Sequence, residues 1–524
     1  MVQRSTFFLI GLAVLLVLVG AGALLWRRLY RDDPDNTARR VLKNSAAPLA
    51  MRLLVRALDM AFFILLVRTL PGVDVGPYAL ATLLVGQYLG TITEFGLGVL
   101  LTREVARDPG AARRLFGVTL VMRWLAVLLA AAPGAALLLG SYALLAQQGL
   151  GQAISPAGQQ ATWVLLLTLP FSAYSGAVTA LYNAAERMEV PALIEVVTAV
   201  LGLAARLAAL LLGYGIVGLA WASVGVTAAT ALIYLVLQRR DFFPPVLGWD
   251  SATARALLPV ALPLMLNNLL NAVFFRFDIF IIQAAGGALP VAQYDTAYKV
   301  INIAMILPPV VTFAVFPVLA RRAADDRAGL RLAQNRTLQA LLLLGFPLAV
   351  GMSALAPDLV RLMTGAKASD YLPAAAGALA ILAWFLPLSF INGLLQYVLI
   401  AVNRQGVITR TFVAGAAFNL AANLVAVPRY GLYAAAAITI LSEIVLLALF
   451  LPALRQESLV PPLFGLAWRP ALAALLMGLV LLAALPLGWL AAALLCAPVY
   501  AAALWLLGAF GAEERALARR VLGR

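Results

Sequence analysis

The chain has 524 residues, 64% of them hydrophobic and only 12% charged, and its mean hydropathy is +0.96. Soluble domains carry roughly 25% charged residues, so this composition excludes a water-soluble globular protein. The formal charge is +15, with no histidine and a single cysteine, Cys496; the usual proton shuttle and any disulfide framework are excluded with them.

The first apolar run covers residues 7–26, after Arg4 and before a strongly basic loop. A signal peptide carries its charge before the run and a small-residue cleavage site after it. Here the charge follows, so an uncleaved span with its N-terminus outside is expected; a start placed too far upstream is the alternative. Beyond it, apolar runs near the length of about twenty residues that crosses a ~30 Å hydrocarbon core predict fourteen core spans. They are 48–70, 78–101, 115–140, 161–182, 192–213, 215–237, 257–284, 294–320, 337–356, 373–400, 407–427, 431–454, 468–487 and 488–508. The longest loops expected are 141–160 and 238–256.

Alternate loops are basic. One set holds Arg27, Arg28, Arg31, Arg39, Arg40 and Lys43, then Arg103, Arg107, Arg113 and Arg114, and continues through Arg187, Arg239, Arg240, Arg255, Arg321, Arg322, Arg404 and Arg455 to the tail at Arg515–Arg524. The other set holds Arg361, Lys367 and Arg429. The positive-inside rule then puts both ends of the fourteen-span core in the cytoplasm. The basicity is topology and not a nucleic-acid site, although the tail Glu513–Arg524 also suits contact with anionic membrane lipids.

The chain repeats itself at a constant offset. Tyr78 in GPYALA matches Tyr294 in AQYDTA at 216 residues; Glu186–Arg187 match Asn403–Arg404 at 217; Tyr214–Gly215 match Tyr430–Gly431 at 216. Each copy holds six spans, an even number, so both have the same orientation, as in parallel repeats. The expected organisation is an extra span and basic loop (1–47), an N-lobe (48–237), a basic linker (238–256), a C-lobe (257–454) and two further spans with a basic tail (455–524).

Ionisable residues inside a membrane are expensive and mark functional candidates. Four spans carry polar stripes at spacings of three, four or seven, which stack side chains on one helix face. The first has Arg52, Arg56 and Asp59; the second Gln87, Thr91 and Glu94; the seventh Asn267, Asn271 and Asp278; the eighth Asp295, Lys299 and Asn302. The first and seventh are equivalent under the repeat, as are the second and eighth. Bland uses stand beside each. Arg52 is near enough to the span end to snorkel to headgroups. Arg56 and Asp59 are placed to neutralise each other, as are Asp295 and Lys299. Arg276 lies about 160° around the helix from Asp278, so both face one cavity only if the helix bends. Arg123 reads as an anchor near a span end, Arg206 as a polar helix–helix contact, and Glu443 as a lone membrane acid for which ion coupling is one use. Pro259, Pro263, Pro308, Pro309 and Pro317 are candidate hinges.

RLLVRALDMAFFILLVRTL…GPYALA, EFGLGVLLTREVA and NNLLNAVFFRFDIFIIQ…AQYDTAYKV…FPVLARRA resemble the polysaccharide flippases of the multidrug/oligosaccharidyl-lipid/polysaccharide exporter superfamily, over roughly 44–510. The resemblance implies an all-α polytopic membrane protein of the inner membrane, with two parallel six-helix lobes around a central cavity plus two C-terminal helices. The extra N-terminal helix departs from that pattern. It implies that undecaprenyl-diphosphate-linked oligosaccharides are turned from the cytoplasmic to the outer leaflet, beside a polysaccharide polymerase and glycosyltransferases, and that the four striped helices line the cavity. A diphosphate head needs cations along its route. Arg52 and Arg56 are expected to hold it on the cytoplasmic side, arginine forks bonding phosphate oxygens bidentately, and Arg276 and Lys299 on the outer side. Asp59, Glu94, Asp278 and Asp295, with Asn267, Asn271 and Asn302, complete the polar lining and offer places for a coupling ion.

No GxxxxGK followed by Ser or Thr occurs, nor GxSxG, HExxH or CxxC, so ATP hydrolysis by a P-loop is not expected. No catalytic residue, metal or cofactor is expected either. The rival readings are a peptidoglycan-precursor flippase, a cation-coupled drug antiporter, in which acids and not arginines would govern the cavity, and a non-transporting subunit of a glycan assembly complex.

Overall fold

In hydrocarbon every backbone N–H and C=O must be satisfied within the protein, which leaves a chain of long apolar runs little choice but helices. The computed structural model describes residues 37–508, with side chains from Met51 onward except that of Arg52, and those residues are mostly helical, with no strand among them. The expected span 7–26 and the basic tail lie outside the described residues. Among the described residues, twelve helical stretches are long and apolar enough to cross a membrane. One of them, Gln405–Gln456, is 52 residues long, about 78 Å at 1.5 Å per residue, more than twice a ~30 Å core. It divides at Gly431, whose φ of 61° and ψ of −146° are not helical. Its two limbs and the other eleven stretches coincide with thirteen of the expected core spans; the expected first span falls on helix Thr37–Thr69, which is not among the twelve.

The repeat offset also holds in local geometry. Glu186 and Asn403 both take positive φ, 58° and 60°, and so do Gly215 and Gly431, 60° and 61°. Asp108 and Asp326 each cap a following helix, accepting from the amides of Gly110 and Gly329. Arg187 pairs with Asp241 at 3.1 Å, and Arg404 with Glu457 at 2.9 Å. An ion pair that recurs at the same offset as its backbone turn is a structural fastener at the span ends.

Two units pack internally. The first gathers the described residues up to Leu66 with Ala81–Leu137 and Ala157–Leu266. Its core sets Phe116, Tyr174, Tyr182 and Tyr234 together, with the hydroxyl of Tyr174 donating to Gln238 at 2.6 Å and that of Tyr182 to Asp241 at 2.9 Å. The expected linker 238–256 is shorter than its composition implies: helices occupy it up to Asp241 and again from Ser251. The segment between them lies on helix Ala112–Ala126, where a Cβ on Gly117 would come within 3.0 Å of the Gly248 nitrogen.

The second unit gathers Val67–Leu80, Leu138–Pro156 and the described residues from Asn267 on. Gly76 abuts Ala288 so closely that a Cβ would sit 1.9 Å from its carbonyl oxygen. Arg68 donates to the carbonyls of Leu362 and Met363 at the end of helix Ala356–Thr364, where a cation complements the helix dipole. Tyr142 donates to the Phe280 carbonyl at 2.8 Å. Helix Leu463–Ala484 packs along Arg327–Ala354, and Tyr500 of the last described helix donates to the Leu343 carbonyl at 3.0 Å. The expected 141–160 loop is also short, because helix continues to Gln147 and resumes at Pro156.

Candidate functional site

The first stripe lies on Thr37–Thr69. The side chain of Arg52 is outside the described residues. Arg56 is exposed, with no ion pair among the described residues. Asp59 does not neutralise Arg56. Its carboxylate lies 3.7 Å from Arg206, which also donates to the Gly202 carbonyl at 3.0 Å and covers the Phe62 ring at 4.3 Å. Arg206 thus makes the polar helix–helix contact expected of it, and it takes the acid that the i, i+3 spacing had assigned to Arg56.

The second stripe runs into a broken helix. Thr91 donates back to the Gln87 carbonyl at 2.6 Å, Gln87 itself being exposed. Phe95 and Gly96 take left-handed φ values of 53° and 70°, and a new helix begins at Leu97. Glu94 turns into that break: its Oε1 accepts from the Gly98 amide at 2.7 Å and from Arg123 at 3.0 Å. Arg123 is therefore no headgroup anchor. It is fully buried, eleven residues into helix Ala112–Ala126, because that helix starts before the predicted span and carries Arg123 inward. π-helical turns at Leu83–Leu89 and Val127–Ala131 flank the pair; such bulges gather at functional sites.

The seventh span is also broken, at Phe277, between helices Ser251–Arg276 and Asp278–Gly286. The break answers the angular problem posed by Arg276 and Asp278, since both reach the next helix, Ala288–Ala304. Arg276 donates to Asp295 at 2.6 Å and stacks on Tyr298 at 4.5 Å. Asp278 accepts from the Tyr294 hydroxyl and from the Ile279 amide at 2.9 Å. Lys299, half-buried, is one turn from Asp295 on the same helix. Asn267 and Asn271 are exposed and Asn302 partly so. The chain kinks again at Met305–Ile306, just before Pro308 and Pro309, whereas Pro259 and Pro263 lie inside a continuous helix.

The structure thus joins Arg276, Asp278 and Asp295 around two tyrosines, and pairs Asp59 and Glu94 with arginines from other helices. Glu443 is buried and takes Asn392 as partner, at 2.5 Å to its carboxylate and 2.8 Å to its carbonyl, with no ion pair among the described residues. The signal for Arg123 in the sequence was its isolation in an apolar run, which spacing alone could not link to Glu94.

Broken membrane helices with ionisable groups at the breaks define a transporter-like membrane protein. The comparisons agree. Residues 41–322 match the family model described as polysaccharide biosynthesis protein, and 263–425 match one described as MatE. The first spans more than half of the chain, so the chain belongs to the polysaccharide biosynthesis protein family, within the superfamily of membrane flippases and exporters. A curated relative, an uncharacterized membrane protein in the cps region of Klebsiella pneumoniae, is 26% identical over 145 residues, 27% of this chain and 29% of that protein. The match therefore spans under a third of that relative's length. The fold is similar to a structure titled lipid II flippase MurJ, inward closed conformation (TM-score 0.72, 14% identity, 92% of this chain and 100% of that one). It is similar as well to an inward-facing multidrug resistance MATE family transporter (0.61, 18%, 77% and 94%).

Proposed function

We propose that this protein turns undecaprenyl-diphosphate-linked oligosaccharides from the cytoplasmic to the outer leaflet for surface polysaccharide synthesis, by alternating access and without catalysis. The observation that carries the reading is Arg56. It is an exposed guanidinium on the expected first span with no ion pair among the described residues, and an ionisable residue held inside a membrane marks a functional site by default. Arg52 one turn away completes a cytoplasmic rung. Arg276 and Lys299 form the outer rung, where Arg276 serves the head by exchanging Asp295 for phosphate. Moving an anion out of a negative interior is downhill by ~2.3 kcal/mol per charge per 100 mV, so ATP is not required. Membrane lipid is the immediate environment, and a polymerase and glycosyltransferases are the partners such a flux needs. The C-terminus is cytoplasmic in this reading: a reporter after Arg524 should read cytoplasm and one within 148–155 the outside.

The test is transport of a lipid-linked oligosaccharide in proteoliposomes, beside a peptidoglycan precursor. Charge-assisted hydrogen bonds contribute about 1.5–3 kcal/mol, so Arg56→Ala should slow transport at least ~10-fold, with Arg56→Lys between. A full rate in Arg56→Ala removes the cytoplasmic rung; faster transport of the peptidoglycan precursor transfers the reading to that substrate.

A further inference from the structure

The Glu94 carboxylate occupies a place with more positive character than one carboxylate needs. Its Oε1 sits on the Gly98 amide, in the first turn of the 11-residue helix Leu97–Arg107, where the helix dipole favours an anion. The second source of positive charge is independent. Arg123 is 0% exposed, yet only Nη2 meets Glu94, and its Nε and Nη1 have no hydrogen-bond partner. Buried donors left unfilled are costly, and a guanidinium presents a fork shaped for two oxygens of one anion. The far side of the carboxylate is backed by a glycine and not by a side chain. Gly176 faces Glu94 Oε2, and a Cβ there would come within 3.4 Å of it. Glu94 is itself reachable, its side chain 41% exposed above the buried arginine.

We infer that Arg123 and the helix end at Leu97–Gly98 form a phosphoryl-anion site, and that Glu94 is its tethered occupant, displaced when a phosphate or diphosphate group enters. A phosphoryl group brings three oxygens where Glu94 brings one to the pair, enough for the amide end and for one two-donor edge of the guanidinium, Nη2 with either Nε or Nη1. Displacement costs little backbone motion, because Glu94 is the last residue of its helix and the left-handed turn at Phe95–Gly96 follows. That the phosphoryl group belongs to a lipid-linked sugar rests on the transport reading above; the anion site does not.

The experiment measures binding of inorganic pyrophosphate and of farnesyl diphosphate to the purified full chain in detergent micelles by calorimetry. Glu94→Gln keeps the shape and removes the competing charge, so it should bind both probes about tenfold tighter than the unmodified chain, the factor one charge-assisted hydrogen bond carries. Glu94→Asp, one methylene shorter, should gain less. Adding Arg123→Gln to Glu94→Gln should abolish the gain. Glu104→Gln removes a charge that already faces Arg103 and Arg107 and should change nothing. The site is refuted if neither Glu94 variant gains affinity, or if Glu104→Gln gains as much. Should Glu94→Gln fail to fold, Glu94→Asp decides alone. A gain for pyrophosphate without one for farnesyl diphosphate keeps the anion site and removes the lipid-linked reading. No gain for either, with a lipid diphosphate still transported by the unmodified chain, removes the site and keeps that reading.

Discussion

Replacing Arg276 with alanine should be among the most damaging single changes in the second unit. Its guanidinium donates to Asp295 at 2.6 Å, with side-chain exposures of only 12% and 7%, and covers the Tyr298 ring. Removing one partner of a buried pair costs about 3–5 kcal/mol because an uncompensated charge stays behind. Lys299 also acts on the Asp295 carboxylate, which holds the cost at the lower end, about 3 kcal/mol; the lost stacking adds about 0.5–1 kcal/mol. Asp295→Asn in the Arg276→Ala background removes the stranded charge and should recover about half of the loss, since groups in contact couple by 0.5–3 kcal/mol. Cys496 provides the readout. It is the one cysteine of the chain, packed near Leu355 and Leu481, so a thiol-reactive dye reports unfolding from a single site in a denaturant titration. Strict additivity of the two substitutions, with no recovery, would refute the pairing.

The same dye assay checks the other expectations. Gly431→Ala forces a side chain into a φ of 61° with nothing within 4 Å of the new Cβ, so its cost is backbone strain alone, about 1–3 kcal/mol; Asn403→Gly, at a φ of 60°, should be neutral or stabilising. Gly76→Ala meets the Ala288 carbonyl at 1.9 Å and should cost about 1–3 kcal/mol by overpacking, with a matching fall in the yield of folded protein. Asp59→Asn should cost about 1 kcal/mol or less, since its side chain is 55% exposed and open pairs are screened, while Arg206→Ala costs more because Phe62 is uncovered too. Outside the membrane, bonds from the Thr253 hydroxyl and the Ala252 amide hold the Asp250 carboxyl below its ordinary value. Its contribution to capping helix Ser251–Arg276 is complete above the ordinary carboxylate range and should fade as pH drops through the lowered value; Asp250→Asn should flatten that acid limb.

Much of the architecture is a local property. Span positions follow from runs of apolar residues, and the repeat from landmarks such as Tyr78 and Tyr294, because hydropathy and helical period are written within about twenty consecutive residues. The polar stripes are local in the same sense, so Arg56, Glu94, Asp278 and Asp295 could be singled out by spacing. What each one touches is not local. Asp59 prefers Arg206, 147 positions away, over Arg56 three positions away, since a long side chain on a packed neighbour reaches the acid from its open side. Glu94 finds Arg123 only because its helix stops at Phe95 and the next begins at Leu97. Arg276 and Asp278 serve one neighbouring helix only because the chain breaks at Phe277. Spacing on an unbroken helix places those two nearly opposite, and the break that overrides it is set by packing between helices, which no single stretch of sequence contains.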